Sequence, residues 1–303
     1  MTKTVKIKHS NKPILSTKNK IIDVIIYLFL AFVALSTVLP FLYVLGGSFA
    51  TDKELTERAF FIIPRVWSLN AYKYAIINSK ILVGLKNTII LTVTGTFLCM
   101  IFSLTFAYPL SKKELKGRNA IMNMVIFTML FSGGMIPSYI VFSAYGLLDS
   151  YGALILPGLI SPFNMIIIKN FFQELPGELE DAAYVDGATD LQVFYKIALP
   201  LSKPVMASIS LFYAVGFWND YFGSMIYLRT ASKYPIQIML RTLILLSDTV
   251  SEAAQAYYDS NGAPPDKAVK MACTVIATVP ILLIYPFVQK YFTKGVMVGA
   301  VKG

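Results

Sequence analysis

Six stretches of this chain are long and apolar enough that water is the wrong solvent for them. They cover about 21–49, 82–110, 120–143, 151–172, 204–228 and 269–291. Each reaches or approaches the ~20 residues a helix needs to cross ~30 Å of hydrocarbon. Within a bilayer the backbone must satisfy its own polar groups, which a helix does inside one segment. The fold expected is therefore all-α and integral to the membrane, with six transmembrane helices. Composition agrees: 56% of residues are hydrophobic and 15% charged, and the mean hydropathy is +0.62, the membrane class. The first run is too long for a signal-peptide core, lacks a small-residue cleavage site and is followed by further spans. It reads as an uncleaved helix that tolerates Pro40 as a kink.

The net charge of +10 is carried largely by Lys at the edges of these spans, so it speaks of topology and not of nucleic acid. With the N-terminus inside, segments 1–20, 111–119, 169–203 and 290–303 hold 16 Lys/Arg, against 10 in segments 51–80, 144–150 and 229–270. That bias predicts both termini on the cytoplasmic side. The expected division is a basic cytoplasmic N-terminus over 1–20, a six-helix membrane domain over 21–291 and a cytoplasmic tail over 292–303. Cys99 and Cys273 lie inside spans with no metal-binding spacing, and His9 is the one histidine. A disulfide framework, a zinc site and a His-based triad are unsupported. No phosphate-binding G-x-x-x-x-G-K-[ST] loop occurs, so the chain does not bind ATP by that route.

Outside the spans, Thr51-x-x-Glu54 has a capping-box pattern and Asn70 precedes a second short helix. Asn261-Gly-Ala-Pro-Pro265 reads as a turn. Inside them, Gly133-Gly134 and Pro137 interrupt the third run, and Pro157 and Pro162 the fourth. Breaks at membrane depth need their freed backbone groups re-satisfied by protein or by a water-filled path. They fit either packing kinks or a gated pathway.

One island is charged. Residues 174–204 hold six Asp/Glu and lie between two apolar runs, and acids there suggest docking to a basic partner surface. Pro176 suits a helix start, and Glu178, Glu180 and Asp181 favour its positive end. The helix runs to about Val185, and Gly187 supplies the positive φ that ends it. Thr189-Asp-Leu-Gln192 is a capping box opening a second helix over about 190–198, which Pro200 and Pro204 stop.

The spacing Asp181-Ala182-Ala183-(x3)-Gly187-(x9)-Ile197-x-Leu199-Pro200 resembles the cytoplasmic loop signature of ABC importer permeases, with Asp in place of the first Glu. Ala107-Tyr-Pro-Leu-Ser-Lys112, Lys116-Gly-Arg118, Asn87-Thr88, Trp218-Asn219 and the tail Val298-Gly-Ala-Val-Lys-Gly303 are similar to the sugar-import branch, the maltose type with a Gly-rich tail. The resemblance spans about 40–303. It implies a type I importer permease fold in a bacterial inner membrane, with the loop as a coupling helix in a cleft of a separate ATPase. Glu180, Asp181, Ala182, Ala183 and Gly187 would then be coupling positions, and Ile197, Leu199 and Pro200 would set the second helix. Gly299, Lys302 and Gly303 would touch the ATPase from the tail, which is too short and Gly-rich to form an element of its own. The implied partners are a homologous second permease, two ATPase subunits that bind ATP and Mg, and an extracellular or periplasmic solute-binding protein.

Two classes of function stay open on the residues alone: a transporter subunit, or an integral membrane transferase. A transferase wants clustered acids, His or a metal motif near an interface. This chain has one His, and its acids gather mainly in the island. For a transporter, Trp218, Asn219, Asp220 and Tyr221 are candidate pathway residues. Aromatic faces suit sugar C–H surfaces, and amides and acids suit hydroxyls. Packing with one interhelical polar network fits the same residues. Oligosaccharide, amino sugar, glycerol phosphate ester and complex glycan all remain as solutes.

Overall fold

A computed structural model describes residues 17–78, 80–245 and 267–300. Every regular element among them is helical. Three helices are each long and apolar enough to cross a membrane: α1 (Thr17–Ser48), α4 (Ile81–Ser111) and the last helix, α15 (Lys267–Ala300), through its stretch Lys267–Ile284. The helix α1 runs unbroken past Pro40. Its residues 22–41 are all exposed in the single chain, as befits a helix apolar all round whose solvent is lipid.

Three bent pairs reach the same length and apolarity together. They are α5 (Arg118–Leu130) with α6 (Met135–Ala144), bent by 113°; Gly152–Gly158, which is α7 (Gly152–Ile155) and a 3-10 turn, with α8 (Pro162–Gln173), bent by 45°; and Asp190–Leu201 with α12 (Lys203–Trp218), bent by 79°. The Gly133-Gly134 interruption is thus a sharp turn: 131–134 carries no helix, and Gly134 has φ +84°. The fifth run differs from expectation. It stops at Trp218 and resumes as α13 (Phe222–Tyr227).

The helix α4 is the axis of the bundle. Leu104, Ala107 and Leu110 pack with Met165, Ile168 and Phe172 of α8 and with Val205 and Ile209 of α12 in one buried cluster. A Cβ on Gly95 would stand 2.7 Å from the Phe217 ring, so any larger residue there would have to displace that ring where α4 meets α12. A second cluster lies at the end of the bundle that carries 49–80. There α2 (Asp52–Glu57), α3 (Asn70–Asn78) and α14 (Ile236–Leu245) pack on α15 through Leu55, Ala71, Ala75, Ile236, Leu243 and Cys273. Within the 229–270 segment, α14 is a helix that composition alone did not announce.

That end is tied by carboxylates. Thr51 caps α2, accepting from the Glu54 amide at 3.4 Å. The Glu54 carboxylate accepts from the amides of Arg65 (3.0 and 3.1 Å) and Val66 (3.4 Å) and pairs with Arg58. The Arg65 amide, with Arg58 and Val66 behind it, holds the Glu54 carboxyl below its usual range despite partial burial. Asp149, itself at φ +57°, accepts from the amides of Arg229 and Thr230 at 2.9 Å, from the Thr230 hydroxyl at 2.6 Å and from Lys233 Nζ at 2.8 Å. Lys233, foremost, and the Thr230 hydroxyl keep this carboxyl well below the ordinary carboxylate range. The pair Asn87-Thr88 also finds its purpose here. Asn87 Nδ2 donates to the carbonyls of Ser232 (2.7 Å) and Tyr234 (3.1 Å), and Thr88 Oγ1 accepts from the Ile236 amide at 2.8 Å.

At the opposite end, α15 continues without interruption to Ala300, so the tail expected to form no element of its own is helical up to that residue. Residues added to an existing helix need no new nucleus, so even a Gly-containing end can extend it. Lys302 and Gly303 lie outside the described residues, as do 1–16 and the turn at 261–265.

Candidate functional site

The charged island folds as a helix, an exposed turn and a second helix, and the second packs back on the main cluster through Phe194 and Ala198. The first, α9 (Gly177–Val185), has Glu178 and Glu180 in its opening turn and Pro176 just before it. Gly187 takes φ +81°, and a Cβ there would meet nothing within 4 Å. The conformation, not crowding, calls for glycine. The capping box at Thr189 is complete: its hydroxyl accepts from the Gln192 amide at 3.4 Å, and Gln192 Oε1 accepts from the Thr189 amide at 2.9 Å. It opens α10 (Asp190–Val193).

The second helix does not stop at Pro200, as the sequence suggested. A π-turn over Phe194–Ala198 leads into α11 (Leu199–Leu201), and the break falls at Ser202. A proline crowds the carbonyl four residues back. The wider π-turn just before it relieves that conflict, the Leu199 amide reaching back five residues to Phe194. Ile197 and Leu199 are half-buried, and Leu199 packs on the main cluster, while Pro200 is exposed. Asp181, Ala182 and Gly187 are exposed, and Ala183 is half-exposed.

The island is anchored by Glu180. It pairs with Lys112, the residue that ends α4. Gln173 Nε2 donates to the Ser111 carbonyl at 3.1 Å, and Tyr184 donates to Asp190 Oδ1 at 2.9 Å across the turn. Burial, with Asp190 as hydrogen-bond acceptor, pushes the Tyr184 phenol up to about 12. Glu180, Asp181 and Tyr184 line one wall of a cleft of about 730 Å³ whose other wall is Lys112, Lys113 and Glu114.

The breaks of the fourth and fifth runs converge, and α6 closes on them. Pro157, Gly158 and Ser161 from the fourth run, Ser138 and Phe142 from the third, and Gly216, Asp220 and Gly223 from the fifth line one cavity of about 410 Å³. The groups freed at the fourth break are re-satisfied by neighbours. The Gly158 carbonyl accepts from Cys99 at 3.2 Å, and the Ser161 amide donates to the Tyr213 hydroxyl, which is 2.7 Å from Ser103 Oγ. At the fifth break, Asp220 caps α13: its oxygens accept from the amides of Gly223 (3.2 Å) and Ser224 (3.0 Å) and from the Ser224 hydroxyl (2.7 Å). A Cβ on Gly223 would lie 2.9 Å from that carboxylate.

The four candidate pathway residues therefore part company. Asp220 lines the cavity. Trp218 does not: it is buried, and its indole donates to the Ala277 carbonyl of α15 at 3.2 Å. A chain leaving a helix turns successive side chains to different sides, so adjacency in sequence did not mean one shared surface. Asn219 faces α14, where Gln237 Nε2 donates to its Oδ1 at 3.4 Å. Tyr221 lies under the Arg241 guanidinium, 4.4 Å from ring centre to Cζ, and its hydroxyl accepts from Arg241. Sequence reasoning missed Asn164, Tyr213 and Tyr227, which also line the cavity. A polar or phenolic residue inside an apolar run was the signal available for each.

Comparison with known proteins agrees with this architecture. Residues 14–298 match the family described as "Binding-protein-dependent transport system inner membrane component". The chain is 51% identical over 284 residues to protein LplC of Bacillus subtilis, covering 94% of this chain and 96% of that one. It is 48% identical over 286 residues to the polygalacturonan/rhamnogalacturonan transport system permease protein YtcP of the same organism, covering 94% and 100%. Its fold is similar to a chain in the crystal structure of a bacterial ABC transporter that imports the acidic polysaccharide alginate, with a TM-score of 0.85 and 32% identity over 93% of this chain and 100% of that one. The helical breaks, the exposed turn and these matches have one reading: the chain belongs to the family of binding-protein-dependent transport system inner membrane components, with the type I ABC permease fold.

Proposed function

We propose that this chain is one permease subunit of an ATP-driven importer, that it forms half of a translocation pathway for an oligosaccharide, and that it couples to a separate ATPase through 174–204. One observation carries the reading. The signature residues Asp181, Ala182 and Gly187 stand on the surface at an exposed turn, where they serve a partner and not the chain's own core. Both termini and this turn are assigned to the cytoplasmic side of a bacterial inner membrane, with six spans between. The implied assembly is this subunit, a homologous second permease, two ATPase subunits that bind ATP and Mg, and an extracellular solute-binding protein. Residues 1–20 form the basic N-terminus, 21–291 the permease domain and 292–303 the tail, with Gly299, Lys302 and Gly303 toward the ATPase. The names of the relatives support a carbohydrate solute.

Purification from detergent with the proteins encoded beside it tests the reading. An ATPase and a second permease should co-purify, and solute with binding protein should stimulate ATP turnover. Transport of sugar by the purified chain alone, without an ATPase, would overturn it.

A further inference from the structure

Two guanidinium charges lie beside the helix that follows the fifth break. Two arginines bracket the short helix α13, two of whose residues, Gly223 and Tyr227, line the cavity. Arg241 lies over Tyr221, immediately before that helix, and donates to its hydroxyl. Arg229, two residues beyond it, donates through Nη2 to the Tyr139 hydroxyl at 2.7 Å, and Tyr139 stacks on Tyr227. Both arginines are exposed. Neither has a carboxylate partner among the described residues, whereas Lys233 beside them is paired with Asp149 at 2.8 Å.

A tyrosine orients a guanidinium without neutralising it. Held in this way, the fork loses less freedom when it binds a second group, and its planar donors match a carboxylate bidentately. Amides stand alongside. Gln237 and Arg241 are four apart on α14 and so share a face, and Gln237 already touches Asn219. Amides read sugar hydroxyls by donating and accepting at once. The acid in the cavity, Asp220, directs its oxygens to Gly223 and Ser224 and makes no ion pair with either arginine among the described residues.

Resting on the permease reading, we infer that Arg241 and Arg229 are specificity residues that read carboxylates, and that the solute is an acidic, uronate-containing oligosaccharide.

The test uses the whole complex in proteoliposomes, with its binding protein, second permease and ATPase. Uptake is compared for galacturonate and mannuronate trimers and for their methyl esters, which keep the sugar and remove the charge. The wild type should prefer at least one acid over its ester. Arg241→Gln should lower that acid-to-ester ratio about tenfold, the loss of one charge-assisted hydrogen-bonded contact. Arg229→Gln should add to it, and Arg241→Lys should restore part of it. A wild type that takes up neutral oligosaccharides and no uronide overturns the inference and leaves the permease reading standing. Equal losses for acid and ester also overturn it, since they assign the arginines to docking of the binding protein or to folding. Absence of ATP-dependent uptake together with absence of a bound ATPase overturns the permease reading itself.

Discussion

Two short interruptions of helix in this chain, the turn at 185–190 and the break at 218–222, solve one problem with different materials. At the turn, glycine takes the left-handed conformation, a Thr–Gln capping box restarts the chain, and the groups left over face open space. At the break, the restart is made by a carboxylate, Asp220, in a bundle whose neighbouring groups are already committed. A surface turn can be written by local rules because water accepts what those rules leave. A break among apolar helices has to satisfy every donor from the protein itself. The first offers an exposed surface; the second walls a cavity.

The comparison breaks most sharply at Asp220. Asp220→Leu leaves the amide and hydroxyl of buried Ser224 without their acceptor, on the order of 1–3 kcal/mol for each unpaired donor. Transport in reconstituted complexes should be nearly abolished while the subunits still assemble. Asp220→Asn, which keeps one acceptor, should alter uptake and retain the fold. Normal uptake by the leucine variant would remove Asp220 from both the pathway and the cap.

The surface turn should tolerate change in its fold and fail in its coupling. Asp181→Lys reverses an exposed charge and should lower solute-stimulated ATP turnover by about tenfold, equivalent to about 1.4 kcal/mol of docking. Asp181→Glu should be mild. Unchanged stimulated turnover in the lysine variant would sink the docking role.

A smaller effect separates conformation from contact. Gly187→Val should cost about 1–3 kcal/mol through φ alone, and Gly187→Ala less, because no atom lies where either side chain would go. The ratio of ATPase retained in pull-downs orders the two variants. Equal behaviour would mean that the turn does not keep its positive φ.

The mildest test concerns acid. Glu54 and Asp149 both have folded-state carboxyls held below the ordinary value, Glu54 foremost by the Arg65 amide and Asp149 by Lys233. Their contribution is fully present above the unfolded value, about 4, and is lost as pH falls below it. Thermal stability in detergent should be insensitive to these groups from pH 8 to 5 and decline below about 4. Glu54→Gln should be less stable at neutral pH and show a shallower acid decline; an unchanged decline would place the acid sensitivity elsewhere.

What was legible in the sequence follows the same division. The apolar runs are read from composition over about 20 residues, while the caps at Thr51 and Thr189 and the positive φ at Gly187 obey rules that act within five residues. The break at 219–221 contains neither Pro nor Gly, and its signal, Asn219-Asp220, is equally that of an ordinary polar pair. The π-turn before Pro200 and the helix α14 depend on what packs against them, through Phe194 and Ile236. The split of Trp218 from Asp220 depends on α15, some 60 residues away, and no local pattern encodes it.

The helix α4 is gripped near both ends: Asn87 and Thr88 hold the backbone of 232–236, while Ser111 and Lys112 hold Gln173 and the island. From Thr88 to Ser111 the helix is continuous and rises about 35 Å, a nearly inextensible rod. On the proposed coupling, a push at Glu180 would reach the 232–236 segment beside α14 as displacement and not as local softening. Pairs of spin labels near 88 and 112 should keep their separation through a turnover cycle, while pairs placed across the 131–134 turn change theirs.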